Sequence, residues 1–351
     1  MDYDTIWFIL VGVLLTGYAM LDGFDLGVGG LHLFSKTDEQ RRLFLNAIGP
    51  VWDGNEVWLV TGGGALFAAF PVVYATAFSG FYLAFWALLG ALIFRAVAIE
   101  FRSKEKWGWW RKMWDFAFSF GSIGSAFLIG VAMGNIIWGI PLDKNHEFTG
   151  DFFMLLHPYA LFTGVTTVAL FMMHGCIYLV MKTEGETQAM VRGWVKPCMV
   201  FFLVCYVVFN VLTVFYCPHV IEVIKARPWT LLILLANILI VLNIPRELYH
   251  GRDFRGFLSS CVAMALLMVL FACAMYPNMI ISSTAPDYYD LAVKTLANNP
   301  FNLTIINGAS TEKTHGIMLL IAVIGMPIVI AYTICVYWIF RGKVEITEES
   351  Y

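Results

Sequence analysis

The chain has 351 residues, of which 60% are hydrophobic and only 13% are charged. Soluble domains carry about 25% charged residues, so this composition excludes a soluble protein and predicts one that crosses a lipid bilayer many times. The formal net charge of −3, together with the absence of any basic cluster or RNA- or DNA-binding motif, excludes a nucleic-acid partner.

Nine apolar runs approach or exceed the roughly 20 residues that a membrane-spanning helix needs. Two of them are short, the second and the seventh, and the tight Pro71–Tyr74 link leaves open that runs two and three form one re-entrant pair. The pattern predicts an all-α polytopic membrane protein. The nine runs are Ile6–Phe34, Glu56–Pro71, Ala75–Phe101, Asp115–Ile140, Phe153–Met181, Val195–Tyr216, Trp229–Ile244, Phe257–Tyr276 and His315–Phe340.

The lysines and arginines of the connecting loops predict the orientation, because cytoplasmic loops are enriched in these residues. With nine spans, sixteen of them fall on one side of the membrane and five on the other. This indicates an N-terminus outside and a C-terminus in the cytoplasm. Merging runs two and three would move the five-cation loop at 102–112 to the outside, so we keep them separate.

The eighth loop, Pro277–Thr314, is the longest and bears Asp287, Tyr288, Tyr289 and Asp290. It is too short for an independent soluble domain. We therefore do not expect catalysis outside the membrane.

Two carboxylates lie deep in the first run. Asp22 and Asp25 are three residues apart, on one face of a helix, and Asp22 lies roughly 24 Å from the start of the run. Gly23 and Gly27 form a small-xxx-small pair, which lets a neighbouring helix approach closely. The carboxylates either pair with Arg95 or backbone to brace the helices, or hold protons, and the sequence leaves both interpretations open.

The stretch Pro50–Leu59 places acidic and amide side chains directly before an apolar run. Asp53 and Glu56 have the D-x-x-E spacing of a capping box, and a capping carboxylate at a helix mouth can also exchange protons with water. The other polar or aromatic members are expected to form a structural turn, with its two tryptophans in the interfacial belt. These members are Trp52, Gly54, Asn55 and Trp58.

Three charged residues surround the loop after the third run. Arg95 lies inside that run, and pairing with Asp25 or Asp53 is one interpretation of it. Arg102 is explained by snorkelling of its side chain to the interface. Asp115, at the start of the fourth run, is most simply an N-cap.

Two histidines lie on the fifth run, His157 and His174. They are about 26 Å apart along a helix axis and so cannot share one ligand. Either is an axial haem ligand in principle, but a lone helical histidine is more often hydrogen-bonded and structural. No motif for a metal, nucleotide or covalently attached haem is present.

Several segments resemble subunit II of the bacterial cytochrome bd quinol oxidases. Their order and spacing match this family over residues 1–140, and the second half resembles it mainly in length and helix number, with echoes at Tyr276-Pro277 and at residues 282–284. The matching segments of the first half are Gly17–Gly29, Pro50–Leu59, Gly63–Pro71, Phe78–Tyr82, Phe94-Arg95, Phe101–Lys104 and Met113–Asp115.

The resemblance implies nine transmembrane helices arranged as two four-helix bundles and one peripheral helix. The implied parts are a first bundle at 1–140, a second at 150–280, an outer loop at 281–314 and a ninth helix at 315–340. It also implies a bacterial cytoplasmic (inner) membrane location and a heterodimer with subunit I, which oxidises quinol and reduces dioxygen to water.

The resemblance further implies that two b-type haems and one haem d belong to subunit I, with no catalytic, haem-binding or metal-binding residue in this chain. His157 and His174 therefore receive no axial role. A structural quinone in this chain and a small single-helix third subunit stay open. For this chain the resemblance implies proton supply from the cytoplasm. The residues of this proton path are Asp53, Asp25, Glu56, Asp22 and Arg95.

Two alternatives remain at this stage. The acids of a purely structural subunit would only cap and brace helices. A secondary transporter would use Asp22 and Asp25 for ion coupling, although the chain shows no clear inverted halves.

Overall fold

The computed structural model describes residues 2–286 and 298–345. The loop residues Asp287, Tyr288, Tyr289 and Asp290 lie outside this part of the chain. The described helices are α1 (Tyr3–Leu31), α2 (Asp38–Ile48), α3 (Trp52–Ala69), α4 (Pro71–Gly80), α5 (Tyr82–Phe101), α6 (Gly108–Trp138), α7 (Pro158–Lys182), α8 (Gly185–Tyr216), α9 (Pro218–Ala226), α10 (Thr230–Tyr249), α11 (Asp253–Met275) and α12 (Glu312–Ile339). A two-stranded antiparallel sheet joins β1 (Asn278–Ile280) to β2 (Leu303–Thr304).

Eight helical segments among the described residues are long and apolar enough to cross a membrane. They contain α1, α5, α6, α7, α8, α10, α11 and α12. The second predicted run corresponds to α3, whose 18 residues span about 27 Å at 1.5 Å per residue. The all-α polytopic class predicted from composition is confirmed.

The third predicted run is not one helix. Pro71 begins α4, which ends at Gly80, and α5 starts afresh at Tyr82. The short α4 lies against the 139–151 loop, because the Thr76 hydroxyl donates to the His146 carbonyl oxygen at 2.9 Å. A proline fits the first turn of a helix, where its missing N–H has no partner to lose, and this accounts for the start of α4 at Pro71. The break that divides the third run lies between Gly80 and Tyr82, where its hydropathy is continuous.

Helix α1 is the centre of the bundle and packs against α3, α6, α7 and α11. Its contact with α7 is close because Gly27 has no side chain: a Cβ there would lie 1.8 Å from the carbonyl oxygen of Phe171. Gly175 of α7 meets Gly27 from the other side. The close helix approach predicted from the glycine pair is confirmed.

Helix α12 is peripheral, since no residue of its apolar 18-residue window is buried, and it contacts α1 and α3. Its C-terminal end is attached to the end of α7. The ammonium of Lys182 donates to the carbonyl oxygens of Phe340 and Gly342, and the Val344 N–H donates to the Lys182 carbonyl at 2.9 Å.

Candidate functional site

Arg95 and Asp22 form a fully buried ion pair between α5 and α1. One guanidinium nitrogen of Arg95 lies 2.6 Å from Asp22 Oδ1, the other lies 3.2 Å from Oδ2, and neither side chain is exposed. Such a two-pronged geometry is the strongest that arginine and a carboxylate form. The sequence interpretation that the first-helix acids pair with Arg95 therefore holds for Asp22.

Asp25 lies one helical turn further along α1 and is also fully buried. Its Oδ2 is 3.9 Å from Arg95 Nη2 and accepts a 2.8 Å hydrogen bond from the Asn55 amide. Its Oδ1 has no hydrogen-bond partner among the described residues. Asp25 therefore interacts with Arg95 more weakly than Asp22 does, and one of its oxygens accepts no hydrogen bond from the described residues.

Glu56 connects this buried group to the surface. Its side chain is 22% exposed, and its Oε2 lies 3.7 Å from Arg95 Nη1. Asp53 precedes it by three residues, which places it on the same side of α3 one turn nearer the helix start, and it is exposed. Side chains from the exposed end of α3 thus lead to the two buried carboxylates.

Two interpretations of this stretch were wrong. α3 begins at Trp52 and its N-cap is Val51, which makes no side-chain capping bond, so Asp53 and Glu56 do not form a capping box. Asp53 also does not pair with Arg95. The helix starts earlier than the apolar pattern indicates because the buried face of its first turn is polar, with Asn55 only 2% exposed.

The predicted structural turn is accordingly the first two turns of α3. The ring of Trp58 packs on Gly17 of α1, where an added Cβ would lie 2.3 Å from it. Trp52 packs against the main core, whereas Gly54 is exposed and has no atom near its Cβ position. Of this set, Asn55 and Trp58 contact α1, and Gly54 does not contribute to the site.

The charges of the cluster determine what it can do. Three carboxyl groups, of Asp22, Asp25 and Glu56, surround one guanidinium, so full ionisation would leave a net charge of −2 in a mostly buried space. Uncompensated buried charge is costly, and carboxyl groups avoid it by taking up protons. The cluster is therefore able to hold protons and to exchange them with the surface through Glu56.

A second buried ion cluster lies where α1, α2, α5 and α6 come together. Asp115 is 1% exposed; its Oδ1 accepts from His32 Nε2 at 2.6 Å and from Arg102 Nε at 2.5 Å, and its Oδ2 accepts from Arg41 at 2.7 Å. Asp115 lies seven residues into α6 and is no N-cap, and Arg102 is buried rather than snorkelling. This cluster joins the ends of α1 and α5 to α2 and α6, and its Arg102 also donates to the exposed Asp38 of α2 at 2.6 Å.

His174 and His157 both make contacts within the protein. Both ring nitrogens of His174 are engaged, with Ser260 at 2.7 Å and the Met20 carbonyl at 3.0 Å, and its ring stacks on Phe257. His157 stacks on Trp138 at 3.8 Å and accepts from the Tyr159 N–H at the start of α7. A haem iron needs a free axial donor, so the surroundings of His174 do not fit that group.

A large apolar cavity of about 840 Å³ lies between α1, α3, α4, α5, α6 and α11. Its wall includes the glycine run 62–64 of α3, Trp86 of α5 and Phe271 of α11, and it contains no histidine. The wall suits a long apolar molecule. Its side-chain donors of the kinds that bind haem iron are four methionine sulfurs and the hydroxyls of Tyr74 and Tyr82.

Two tyrosines that the sequence analysis did not single out lie at the acidic cluster. The Tyr337 hydroxyl of α12 donates to Asn55 Oδ1 at 2.8 Å. The Tyr18 hydroxyl, one turn before Asp22, is buried and has no hydrogen-bond partner among the described residues. The i, i+4 spacing of Tyr18 and Asp22 could have indicated that Tyr18 lies at this cluster. No sequence pattern around Tyr337 connects it with the cluster, because it is far away in the chain.

Comparison with known proteins supports a specific relationship. The family model described as cytochrome bd terminal oxidase subunit II matches residues 3–340. Cytochrome bd-I ubiquinol oxidase subunit 2 of Escherichia coli K12 is 35% identical, over 99% of this chain and 97% of that protein. Cytochrome bd ubiquinol oxidase subunit 2 of Bacillus subtilis 168 is 32% identical, over 98% and 97%.

A solved structure shares the fold. A chain of the bd oxidase from Geobacillus thermodenitrificans superposes with a TM-score of 0.77 at 15% identity, covering 97% of this chain and 99% of that one. Both comparisons extend through the second half, where the sequence resemblance was loose.

Proposed function

The chain belongs to the family of cytochrome bd terminal oxidase subunit II, and on that premise we propose that its acidic cluster carries protons from the cytoplasmic surface toward a haem-bearing partner subunit. Membership makes it a subunit of a quinol:oxygen oxidoreductase and a multi-pass protein of the bacterial inner membrane. The complex contains haem. We assign this chain the proton supply and the partner the oxygen chemistry.

The observation that carries the proposal is the excess of carboxyl groups around Arg95. A purely structural ion pair needs one acid for one base, and Asp22 already supplies it with both oxygens. Asp25 is fully buried and only 3.9 Å from the same guanidinium, so it adds a group that must release or accept protons rather than one that is needed for charge balance. Buried ionisable groups of this kind in membranes are characteristic of proton paths.

We propose that the path starts at Asp53, continues through Glu56 and ends at Asp25, with Arg95 and Asp22 fixing its inner end. Asp53 is exposed, Glu56 is 22% exposed and Asp25 is fully buried, so the three groups form a graded approach from water. Each carries an oxygen that can take and release a proton in turn.

The loop cations support an arrangement in which this entrance faces the cytoplasm. We propose nine transmembrane helices, the eight long apolar ones and α3, with the N-terminus outside and the C-terminus in the cytoplasm. Proton uptake from the cytoplasm, combined with release of quinol protons on the outer side, would charge the membrane without a pump.

We propose the two-bundle division, with residues 1–140 and 150–280 as the bundles and α12 as the peripheral ninth helix beyond the 281–314 loop. Subunit I is the proposed partner and would hold two b-type haems and one haem d. A structural quinone would fit the apolar wall at 62–64, Trp86 and Phe271. We also propose that a small single-helix subunit attaches to the complex.

The test is Asp25→Asn in the assembled complex, with oxygen consumption measured per haem. We expect a loss of about a hundredfold, the lower end of what one proton-transferring group contributes, while the haem spectrum stays unchanged. Loss of haem with an unchanged rate per remaining haem would favour the purely structural role. Unchanged rate and unchanged haem would refute the proton path. Family membership disfavours the transporter alternative.

A further inference from the structure

Tyr337 on the peripheral helix α12 is hydrogen-bonded to the acidic cluster across 282 residues of chain. We infer that Tyr337 is a positioning residue for proton transfer at Asp25, acting through the side-chain amide of Asn55. This inference rests on the proposed function and adds a role for the ninth helix to it.

Asn55 has all the contacts that such a link needs. Its amide nitrogen donates to Asp25 Oδ2 at 2.8 Å and to the Leu21 carbonyl at 3.2 Å, and its Oδ1 accepts from the Tyr337 hydroxyl at 2.8 Å. The side chain is 2% exposed, so water cannot replace a lost partner easily. Three hydrogen bonds to two other helices, α1 and α12, therefore hold one amide.

These contacts determine which way the amide points. The Leu21 carbonyl can only accept, so it must face the NH₂ group, and the same NH₂ group then faces Asp25. The amide oxygen is thereby directed at α12, where the Tyr337 hydroxyl is the donor that satisfies it. Asp25 consequently receives a donor rather than an acceptor, which favours its ionised form relative to the alternative amide orientation.

The Tyr337 hydroxyl is needed because an unsatisfied buried carbonyl is unfavourable. Without it, the Asn55 oxygen would be left buried and unpaired, and the amide would gain by turning away from its present position. Polarisation along the chain from Tyr337 through Asn55 to Asp25 also strengthens the donor that Asp25 meets. The effect on Asp25 is therefore indirect but specific.

The alternative is that this hydrogen bond only holds α12 in place. α12 has other attachments, however: Val336 packs against the main core, and Lys182 binds the carbonyl oxygens of Phe340 and Gly342. A peripheral helix with these contacts does not need a buried polar one for docking. We therefore assign the hydroxyl to orienting the Asn55 amide rather than to docking α12.

The test uses Tyr337→Phe, which removes the hydroxyl and keeps the ring, in the complete complex. Reduced-minus-oxidised infrared difference spectra detect protonated carboxyl groups, and Asp25→Asn identifies the band of Asp25 by its loss. We expect Tyr337→Phe to move this band and to slow oxygen consumption per haem by about two- to tenfold, the range that corresponds to one net hydrogen bond.

Two matched variants of α12 serve as controls. Tyr332→Phe removes a hydroxyl from a side chain that is 64% exposed, and Val336→Ala weakens the packing of the helix without touching the amide. Both are expected to leave the carboxyl band in place.

An unmoved Asp25 band in assembled Tyr337→Phe would overturn the inference. Loss of haem in Tyr337→Phe with normal haem in Val336→Ala would also overturn it, since the hydroxyl would then be holding the helix. If Asp25→Asn itself leaves oxygen consumption unchanged, the proposed proton path fails instead, and the two results are thus distinguishable.

Discussion

The guanidinium of Arg95 holds Asp22 through two hydrogen bonds of 2.6 and 3.2 Å in a site where neither side chain is exposed. This pair anchors α5 to α1 and defines the inner end of the acidic cluster. Because Asp22 occupies both of its terminal nitrogens, the other two acids, Asp25 and Glu56, are held at 3.9 and 3.7 Å. The site therefore combines one tight pair with two looser carboxyl groups.

Arg95→Leu should destabilise the subunit strongly, because it leaves Asp22 buried without its partner. Breaking one side of a buried pair costs about 3–5 kcal/mol. The expected result is a large loss of assembled complex, measured as haem content and as the melting temperature of the haem absorbance. Lys104→Leu, which changes an exposed cation at the end of the same segment, is the control and should leave both values unchanged. Equal haem content and equal melting temperatures of the two variants would contradict a stabilising role of the buried Arg95–Asp22 pair.

Glu56→Gln should slow oxygen consumption more than Asp53→Asn. Glu56 is partly buried and lies 3.7 Å from Arg95, so water replaces its function poorly, whereas water can deliver protons past the exposed Asp53. We expect a reduction of about tenfold for Glu56→Gln and less than about threefold for Asp53→Asn, compared with general acid–base contributions of 10²–10⁴-fold. Oxygen uptake per haem is the measurement. A larger effect of Asp53→Asn would contradict this prediction and indicate that proton entry at the surface limits the rate.

Gly27→Ala should disrupt the contact between α1 and α7. The added methyl group would lie 1.8 Å from the Phe171 carbonyl oxygen, so one helix backbone must move. Overpacking of this kind costs about 1–3 kcal/mol or more. Gly12→Ala on the same helix meets no atom within 4 Å and should be neutral or slightly stabilising. Thermal denaturation of the purified complex compares the two, and similar melting temperatures would argue against close packing at Gly27.

Asp115→Asn should weaken assembly without lowering the rate per haem. The carboxylate is almost fully buried and accepts hydrogen bonds from His32, Arg41 and Arg102, so its neutralisation leaves the buried guanidinium of Arg102 short of a partner, at about 3–5 kcal/mol. Asp38→Asn is the comparison: Asp38 also accepts from Arg102, but its side chain is 46% exposed, so water can solvate the group left behind and the loss should be smaller than for Asp115→Asn. A rate defect in fully assembled Asp115→Asn would instead place this cluster on the proton path.

Composition and periodicity were sufficient for several features because these depend on residues close together in the chain. Long apolar runs must become helices in a bilayer, where no other partner exists for the backbone N–H and C=O groups. The i, i+3 spacing of Asp22 and Asp25 brings them to one helix face, and the spacing of Gly23 and Gly27 allows the approach of α7. The family followed from motifs of the first half alone.

The tertiary structure decided everything that depends on which helices are neighbours. The choice of Asp22 over Asp25 and Asp53 as partner of Arg95, and the contact of Tyr337 with Asn55, join elements far apart in sequence. Two helix ends were also misjudged: hydropathy runs straight through Gly80, where α4 ends, and α6 starts seven residues before Asp115. Hydropathy records how apolar a segment is, whereas burial, charge pairing and helix ends are determined by the three-dimensional packing of the segments against one another.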